Sequence, residues 1–185
     1  VILRCTEFFQ IDDLLELVKR MRERIPGTYR IVLNAGEFDL EKAQKMADAG
    51  VYGVYKALRL REGIDTNFDP ACRLETMRIV RESRLELISL VEPIGIEHSD
   101  EELAERFLTA VENKAVICGA MARIPVKGTP LGELKQVSDE KMAHIIAVLR
   151  LSGGNVIRDI CVHPATQAAL TSGANLMVVE TGAIP

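Results

Sequence analysis

The chain has 185 residues, 48% of them hydrophobic and 27% charged, with 4% aromatic and no Trp, which suits one domain with an aliphatic core. Lys and Arg number 23 against 27 Asp and Glu, and the net charge of −4 argues against a nucleic-acid or anionic-membrane binder, since both need a basic surface. No apolar run reaches the roughly 20 residues of a membrane span, and the opening residues do not read as a signal peptide. The expectation is a cytoplasmic protein.

The pattern alternates short apolar runs with amphipathic stretches. Val1 to Thr6 reads as a strand. Ile11 to Ile25 reads as a helix, with Leu14, Leu17, Val18 and Met21 at helical spacing and Pro26-Gly27 as its stop. Arg30 to Asn34 is a second strand, Leu40 to Ala49 a helix closed by Gly50, and Val51 to Leu58 a third strand. A polar stretch from Arg59 to Asp69 leads through Pro70 into the helix Ala71 to Ser83. Leu85 to Val91 is a strand and Glu92 to Ser99 its loop. Asp100 to Asn113 is a helix with an acidic first turn that suits the dipole. Ala115 to Ala122 is an apolar strand and Pro125 to Lys135 a long loop. Ser138 to Leu151 is a helix that Ser138 is placed to cap, although Lys141 leaves the capping box incomplete. Val156 to Val162 is a strand, Pro164 to Ser172 a helix, and Leu176 to Glu180 the last strand.

Seven strands separated by six helices imply parallel βαβ units joined by right-handed crossovers. No G-x-G-x-x-G follows the first strand, which argues against a dinucleotide-binding sheet. The fold class expected is α/β, a TIM-type (β/α) barrel one unit short of eight. No linker or low-complexity tract divides it, so the expectation is one domain.

Active sites of such barrels lie at the C-terminal ends of the strands. That rule selects Cys5, Thr6 and Glu7, then Asn34 and Glu37, then Lys56, Arg59, Arg61 and Glu62. It continues with Glu92, Glu97 and His98, with Arg123 and Lys127, with Asp159, Cys161 and His163, and with Glu180 and Thr181. Alternation puts Ile157, Asp159, Cys161 and His163 on one face of their strand. Arg158 and Asp159 inside an apolar strand are hard to explain by packing, since an unpaired buried charge costs several kcal/mol. The polar set is expected to face away from the helices, as a substrate site or as a satisfied structural network. His144 reads as a packing or surface residue, and His98 as either a loop histidine or a ligand contact. Arg59 to Gly63 reads as a salt-bridged surface or an anion-holding fork. Arg73 is either a solvated helix residue or a group reaching back to a carboxylate. The four cysteines, Cys5, Cys72, Cys118 and Cys161, contain no C-x-x-C pair and show no zinc or local iron–sulfur motif.

Several segments carry a resemblance: Lys127-Gly128-Thr129-Pro130-Leu131, Ser172-Gly173-Ala174-Asn175, Lys45 to Val51, and Arg73-Leu74-Glu75-Thr76. In order and spacing they resemble the biotin synthase-like branch of the radical S-adenosylmethionine enzymes, over nearly the whole chain. The resemblance implies a TIM-type barrel that uses a [4Fe–4S] cluster and S-adenosylmethionine to generate a 5′-deoxyadenosyl radical. Aligned this way, the positions of biotin synthase's auxiliary-cluster cysteines carry Leu3, Val32 and Ile88, and that of its arginine carries His163. Aliphatic side chains cannot ligate iron, so sulfur insertion is not expected. The run Tyr55 to Thr66 and the ending Val179 to Pro185 are most similar to the HmdB subfamily, associated with the iron–guanylylpyridinol cofactor of [Fe]-hydrogenase.

By the same resemblance, Arg73 matches the arginine that holds the carboxylate of S-adenosylmethionine. Lys56 and Glu62 fall in the segment that meets its ribose and amino-acid part, Ile94, Gly95 and Glu97 in the loop near its adenine, and Asp159, Cys161 and His163 where relatives contact substrate. No metal ligand is expected in the chain itself. Val1 already lies in an apolar run, so the chain reads as beginning in the second of eight strands, with the first βα unit and the cluster cysteines preceding it. The flanking open edges would then invite self-association. Two other readings stay open: a methylornithine-type amino-acid mutase, and a barrel that binds S-adenosylmethionine or a partner without chemistry.

Overall fold

A computed structural model describes residues 1–5 and 9–179. The expected candidates Thr6, Glu7, Glu180 and Thr181 lie outside the described residues. The chain divides into two compact units, Val1–Ser89 with Asn113–Ala115, and Leu90–Glu112 with Val116–Pro185.

The first unit holds β1 (Ile2–Arg4), α1 (Ile11–Arg24), β2 (Val32–Asn34), α2 (Leu40–Asp48), β3 (Gly53–Tyr55), α3 (Pro70–Glu82) and β4 (Glu86–Ile88). Each helix starts and stops for a local reason. In α1, Ile11, Leu14 and Val18 form the buried stripe, with Asp12 and Asp13 in the first turn and Arg22 and Arg24 in the last, as the helix dipole favours. The Asp39 carboxylate accepts the Lys42 N–H to cap α2. Asp69 caps α3 through the Ala71 N–H, and Pro70 takes the first helical position, where its missing N–H costs nothing.

The strands of this unit run parallel in the order β1-β2-β3-β4. Leu3 pairs with Leu33 across β1 and β2, and Val54 with both Leu33 and Leu87. Leu33, Val54 and Leu87 are wholly buried, as are Val18, Met46, Met77 and Val80 of the helices. Each such side chain contributes about 1.5–3 kcal/mol by leaving water. The alternate file, Val32, Asn34, Tyr55 and Ile88, takes the other face. Leu3 therefore lies on the opposite face from Val32 and Ile88. The three cannot be equivalent to cysteines around one cluster, and the alignment at Leu3 is one residue out of phase.

The second unit holds β5 (Val91–Ile94), α4 (Asp100–Glu112), β6 (Ile117–Ala122), α5 (Asp139–Gly153), β7 (Asp159–His163), α6 (Gln167–Thr171) and β8 (Leu176–Met177). The expected strand Leu85 to Val91 is thus two pieces, interrupted at Ser89-Leu90, and the expected loop at Glu92 is strand. A complete capping box opens α4, unnoticed in the sequence: Glu102 N–H donates to the Ser99 hydroxyl and Ser99 N–H donates back to the Glu102 carboxylate. Ser138 caps α5 without needing an acid at Lys141. Thr166 caps α6, which delays that helix to Gln167.

Strands β5 to β8 are parallel, with Gly119 opposite Cys161 and Cys161 opposite Leu176. Ile160, Val162, Cys118 and Ala120 form the fully buried file. Arg158 precedes the strand and is exposed, so it is not the buried charge that the sequence suggested. At Gly119 the backbone has φ +147°, and a Cβ would overlap the carbonyl oxygen of Cys161, which is backbone and cannot swing aside. Gly119→Ala is therefore expected to destabilise the protein by more than about 1 kcal/mol, read as a lowered urea midpoint at unchanged slope.

Candidate functional site

The first unit gathers charges at the C-terminal ends of β2 and β3. Lys56 follows β3 and its ammonium is buried. It donates to the carbonyls of Ala35 at 2.9 Å and Gly36 at 3.1 Å and to Glu37 Oε1 at 3.2 Å. An ammonium has three donors, so these contacts tie the loop after β2 to the end of β3. Glu62 lies in the polar loop before α3. Its Oε2 accepts the Arg59 N–H at 3.0 Å and its Oε1 accepts from Arg73 Nε at 3.5 Å. Arg73, in the first turn of α3, donates from Nη1 to Glu37 Oε1 at 2.6 Å, and its guanidinium stacks over the Phe68 ring at 4.6 Å. The Thr76 hydroxyl, one turn on, bonds Glu37 Oε2.

The sequence-predicted residues Lys56, Glu62 and Arg73 are thus brought together. What unites them is Glu37, which the strand-end rule selected but nothing distinguished. Exposure separates the roles. The side chains of Lys56, Glu62 and Arg73 are 2%, 1% and 9% exposed, whereas Glu37 is 36% exposed. Arg73 Nη2 has no hydrogen-bond partner among the described residues. The surface of the cluster therefore offers one guanidinium edge beside one carboxylate, over an interior of balanced charge. That pair suits a ligand carrying a carboxylate next to a cation, such as the aminocarboxylate end of an amino acid.

The second unit places its candidates differently. The Ile94 carbonyl accepts the Arg123 N–H at 2.8 Å. The Gly95 N–H donates to His98 Nδ1 at 2.9 Å, so His98 closes the turn after β5. Glu97 forms a two-pronged ion pair with Arg123, the second prong at 3.0 Å from Nη2 to Oε2. A Cβ on Gly95 would meet the far ends of both members of that pair, which would have to shift to admit it. The hydrogen bond from Arg123 is the main reason the Glu97 carboxyl titrates below its ordinary range. Arg123 is the partner that sequence reasoning did not join to Glu97.

On β7, Asp159, Cys161 and His163 share the face away from the fully buried file, as alternation requires. They do not form one site. Asp159 opens the strand and accepts the Asn175 Nδ2–H at 2.9 Å, while Asn175 Oδ1 accepts from the Ile160 N–H and from Arg150 Nη2, each at 2.8 Å. Asp159 thus belongs to a structural tie at the N-terminal edge of the strand, about 13 Å from His163 at the other edge. His163 remains at the C-terminal edge, with Nδ1 buried and unpartnered. His144 is exposed on α5, and Lys127 is exposed in its turn. Among the described residues no group of three His, Cys, Asp or Glu side chains is arranged to hold a metal ion, and no helix is long and apolar enough to cross a membrane.

No family model and no curated protein matches the chain. Solved structures do. A methylornithine synthase, PylB, superposes with a TM-score of 0.76 at 19% identity, covering 95% of this chain and 56% of that one. HydG, a maturase of the [FeFe]-hydrogenase, superposes at 0.72 with 12% identity, covering 95% of this chain and 45% of that one. HydG from Carboxydothermus hydrogenoformans gives 0.70 with 13% identity, covering 94% and 46%. The chain spans about half the length of these proteins.

Two outcomes follow from the site geometry. Burial pushes the Cys118 thiol up to about 12 and the Cys161 thiol to about 11, whereas Cys72 is exposed. Iodoacetamide at pH 8 is expected to label Cys72 in the native protein, and Cys118 and Cys161 only after unfolding, as read by mass spectrometry. The lowered Glu97 value means that its stabilising pairing is complete above the ordinary glutamate value of about 4.3 and is lost as the pH falls through the lower folded value. Glu97→Gln is expected to remove that part of the acid limb in unfolding midpoints measured from pH 6 to 3. The likeness to PylB and HydG shows the fold to be α/β, an incomplete TIM-type (β/α) barrel.

Proposed function

We propose that the chain is the barrel portion of a radical S-adenosylmethionine enzyme of cofactor biosynthesis, acting in maturation of the iron–guanylylpyridinol cofactor of [Fe]-hydrogenase. The observation that carries this reading is the cluster in which the buried Lys56, Glu62 and Arg73 meet the half-exposed Glu37 carboxylate, on a fold shared with HydG and PylB. The general reading draws its support from the fold and the cluster. The finer assignment draws its support from the likeness of Tyr55 to Thr66 to the HmdB subfamily.

The residues present fit S-adenosylmethionine in one specific respect. Arg73 keeps Nη2 for a carboxylate, and the Glu37 carboxylate beside it is reachable by an adjoining cation. Among the described residues no group of three His, Cys, Asp or Glu side chains is arranged to hold a metal ion, and Cys118 and Cys161 are buried, so this reading assigns no residue of the chain to the [4Fe–4S] cluster. When bound together, cluster and S-adenosylmethionine supply a 5′-deoxyadenosyl radical that abstracts hydrogen from a substrate. This chain's own part is to fix the aminocarboxylate end at Arg73. On β7, Cys161 and His163 are left to meet a substrate, without Asp159.

A second reading, amino-acid rearrangement of the methylornithine type, is favoured by the superposition on PylB. The test uses the full-length protein, anaerobically reconstituted with iron, sulfide and a reductant. It is expected to form 5′-deoxyadenosine from S-adenosylmethionine, with Arg73→Ala raising the KM by about 10-fold or more, the loss of one charge-assisted pair. No 5′-deoxyadenosine from the intact protein would overturn the enzyme reading. Conversion of lysine to methylornithine would establish the second.

A further inference from the structure

We infer that Glu37 is a positioning residue for ligand binding and acts through Arg73, with Lys56 serving to hold the loop that carries it. This rests on the reading that Arg73 faces a ligand carboxylate. Without a partner, a guanidinium on the first turn of a helix samples many rotamers, since the long arginine side chain carries large rotamer entropy. Here its two inner donors are assigned: Nη1 to Glu37 Oε1 at 2.6 Å and Nε to Glu62 Oε1 at 3.5 Å. With Phe68 stacked on its plane at 4.6 Å, one edge remains, that of Nη2. Fixing two donors of a rigid planar fork fixes the direction of the third.

Glu37 is in turn held from both sides. The Thr76 hydroxyl bonds Oε2 from the next turn of α3, and Lys56 Nζ bonds Oε1 at 3.2 Å. Lys56 also grips the carbonyls of Ala35 and Gly36, so the three residues leading to the carboxylate are clamped to the end of β3. The ammonium directs these three contacts inward, and its side chain is 2% exposed. Lys56 is thus placed to shape the site rather than to touch a ligand, in contrast with the contact the family resemblance implies. Its charge and that of Arg73 meet on one carboxylate oxygen, so a change at Glu37 must be felt at Arg73.

The test is a double-mutant cycle in the full-length, cluster-reconstituted protein, read as the dissociation constant of S-adenosylmethionine by anaerobic calorimetry. Glu37→Gln keeps the shape and removes the charge. It is expected to weaken binding by about 10-fold, yet to change it by less than about 2-fold when Arg73→Ala is already present. Thr76→Val, which removes only the outer anchor of Glu37, is expected to weaken binding by about 3-fold and likewise to lose its effect in the Arg73→Ala background. It stands in if Glu37→Gln does not fold. An undiminished effect in that background, or no effect of either substitution alone, would overturn the positioning role. Wild-type affinity in Arg73→Ala would instead overturn the underlying reading of Arg73.

Discussion

Three buried charges need partners in the first unit, and the fold around them follows from that need. Lys56, Glu62 and Arg73 lie within the last strand residues of β3, the loop beyond it and the first turn of α3. Breaking a buried ion pair by removing one partner costs about 3–5 kcal/mol. Glu37 supplies the second negative charge that balances the two cations. Because it comes from the loop after β2, the pairing joins two consecutive βα units at their C-terminal edge. The polar stretch from Arg59 to Asp69 is therefore anchored at several points: the Arg59 N–H on Glu62, Phe68 on Arg73, and Asp69 on the helix start.

The second unit meets the same constraint by closing its charges on themselves. Glu97 and Arg123 satisfy each other in a bidentate pair, packed over the bare backbone of Gly95. Arg150, Asn175 and Asp159 do the same at the opposite edge of the strands. There Arg150 also donates to the carbonyls of Gly173 and Arg158, each at 2.8 Å. This explains the Ser172-Gly173-Ala174-Asn175 segment physically: it ties the end of α5 to the start of β7. A closed pair is a poor ligand contact, because a ligand must first break it. In the first unit the Arg73 guanidinium keeps one edge without a hydrogen-bond partner among the described residues, beside the half-exposed Glu37 carboxylate.

Local features were legible in the sequence and non-local ones were not. Element order, the cap at Ser138, and Leu14 and Val18 of the α1 stripe all arise from residues within a turn of one another, although Leu17 of the expected stripe is exposed. The Glu37–Arg73 pair spans 36 positions and the Glu97–Arg123 pair 26. No periodicity encodes such a meeting; the strand-end rule placed all four residues or their segments in one region without pairing them. Asp159 misled for a different reason. The face it shares with Cys161 and His163 was read correctly from alternation. Its position along the strand was not, because the apolar run suggested that the strand began at Val156 when it begins at Asp159. One visible signal was passed over: Ser99 followed three residues later by Glu102 is a complete capping box.

Alternation also explains how a fold can persist while the chemistry on it varies. Along β2, Leu33 is locked into the buried file while Val32 and Asn34 face the other way; along β7, Ile160 and Val162 are locked in while Cys161 and His163 face away. The packing requirement falls on every second residue, and the residues between are released from it. A cysteine, an arginine, a histidine or an aliphatic side chain can stand on the released face without disturbing the register. The fold alone therefore does not choose the reaction. That choice falls to the side chains at the strand ends, and in the first unit Lys56, Glu62 and Arg73 meet there with Glu37.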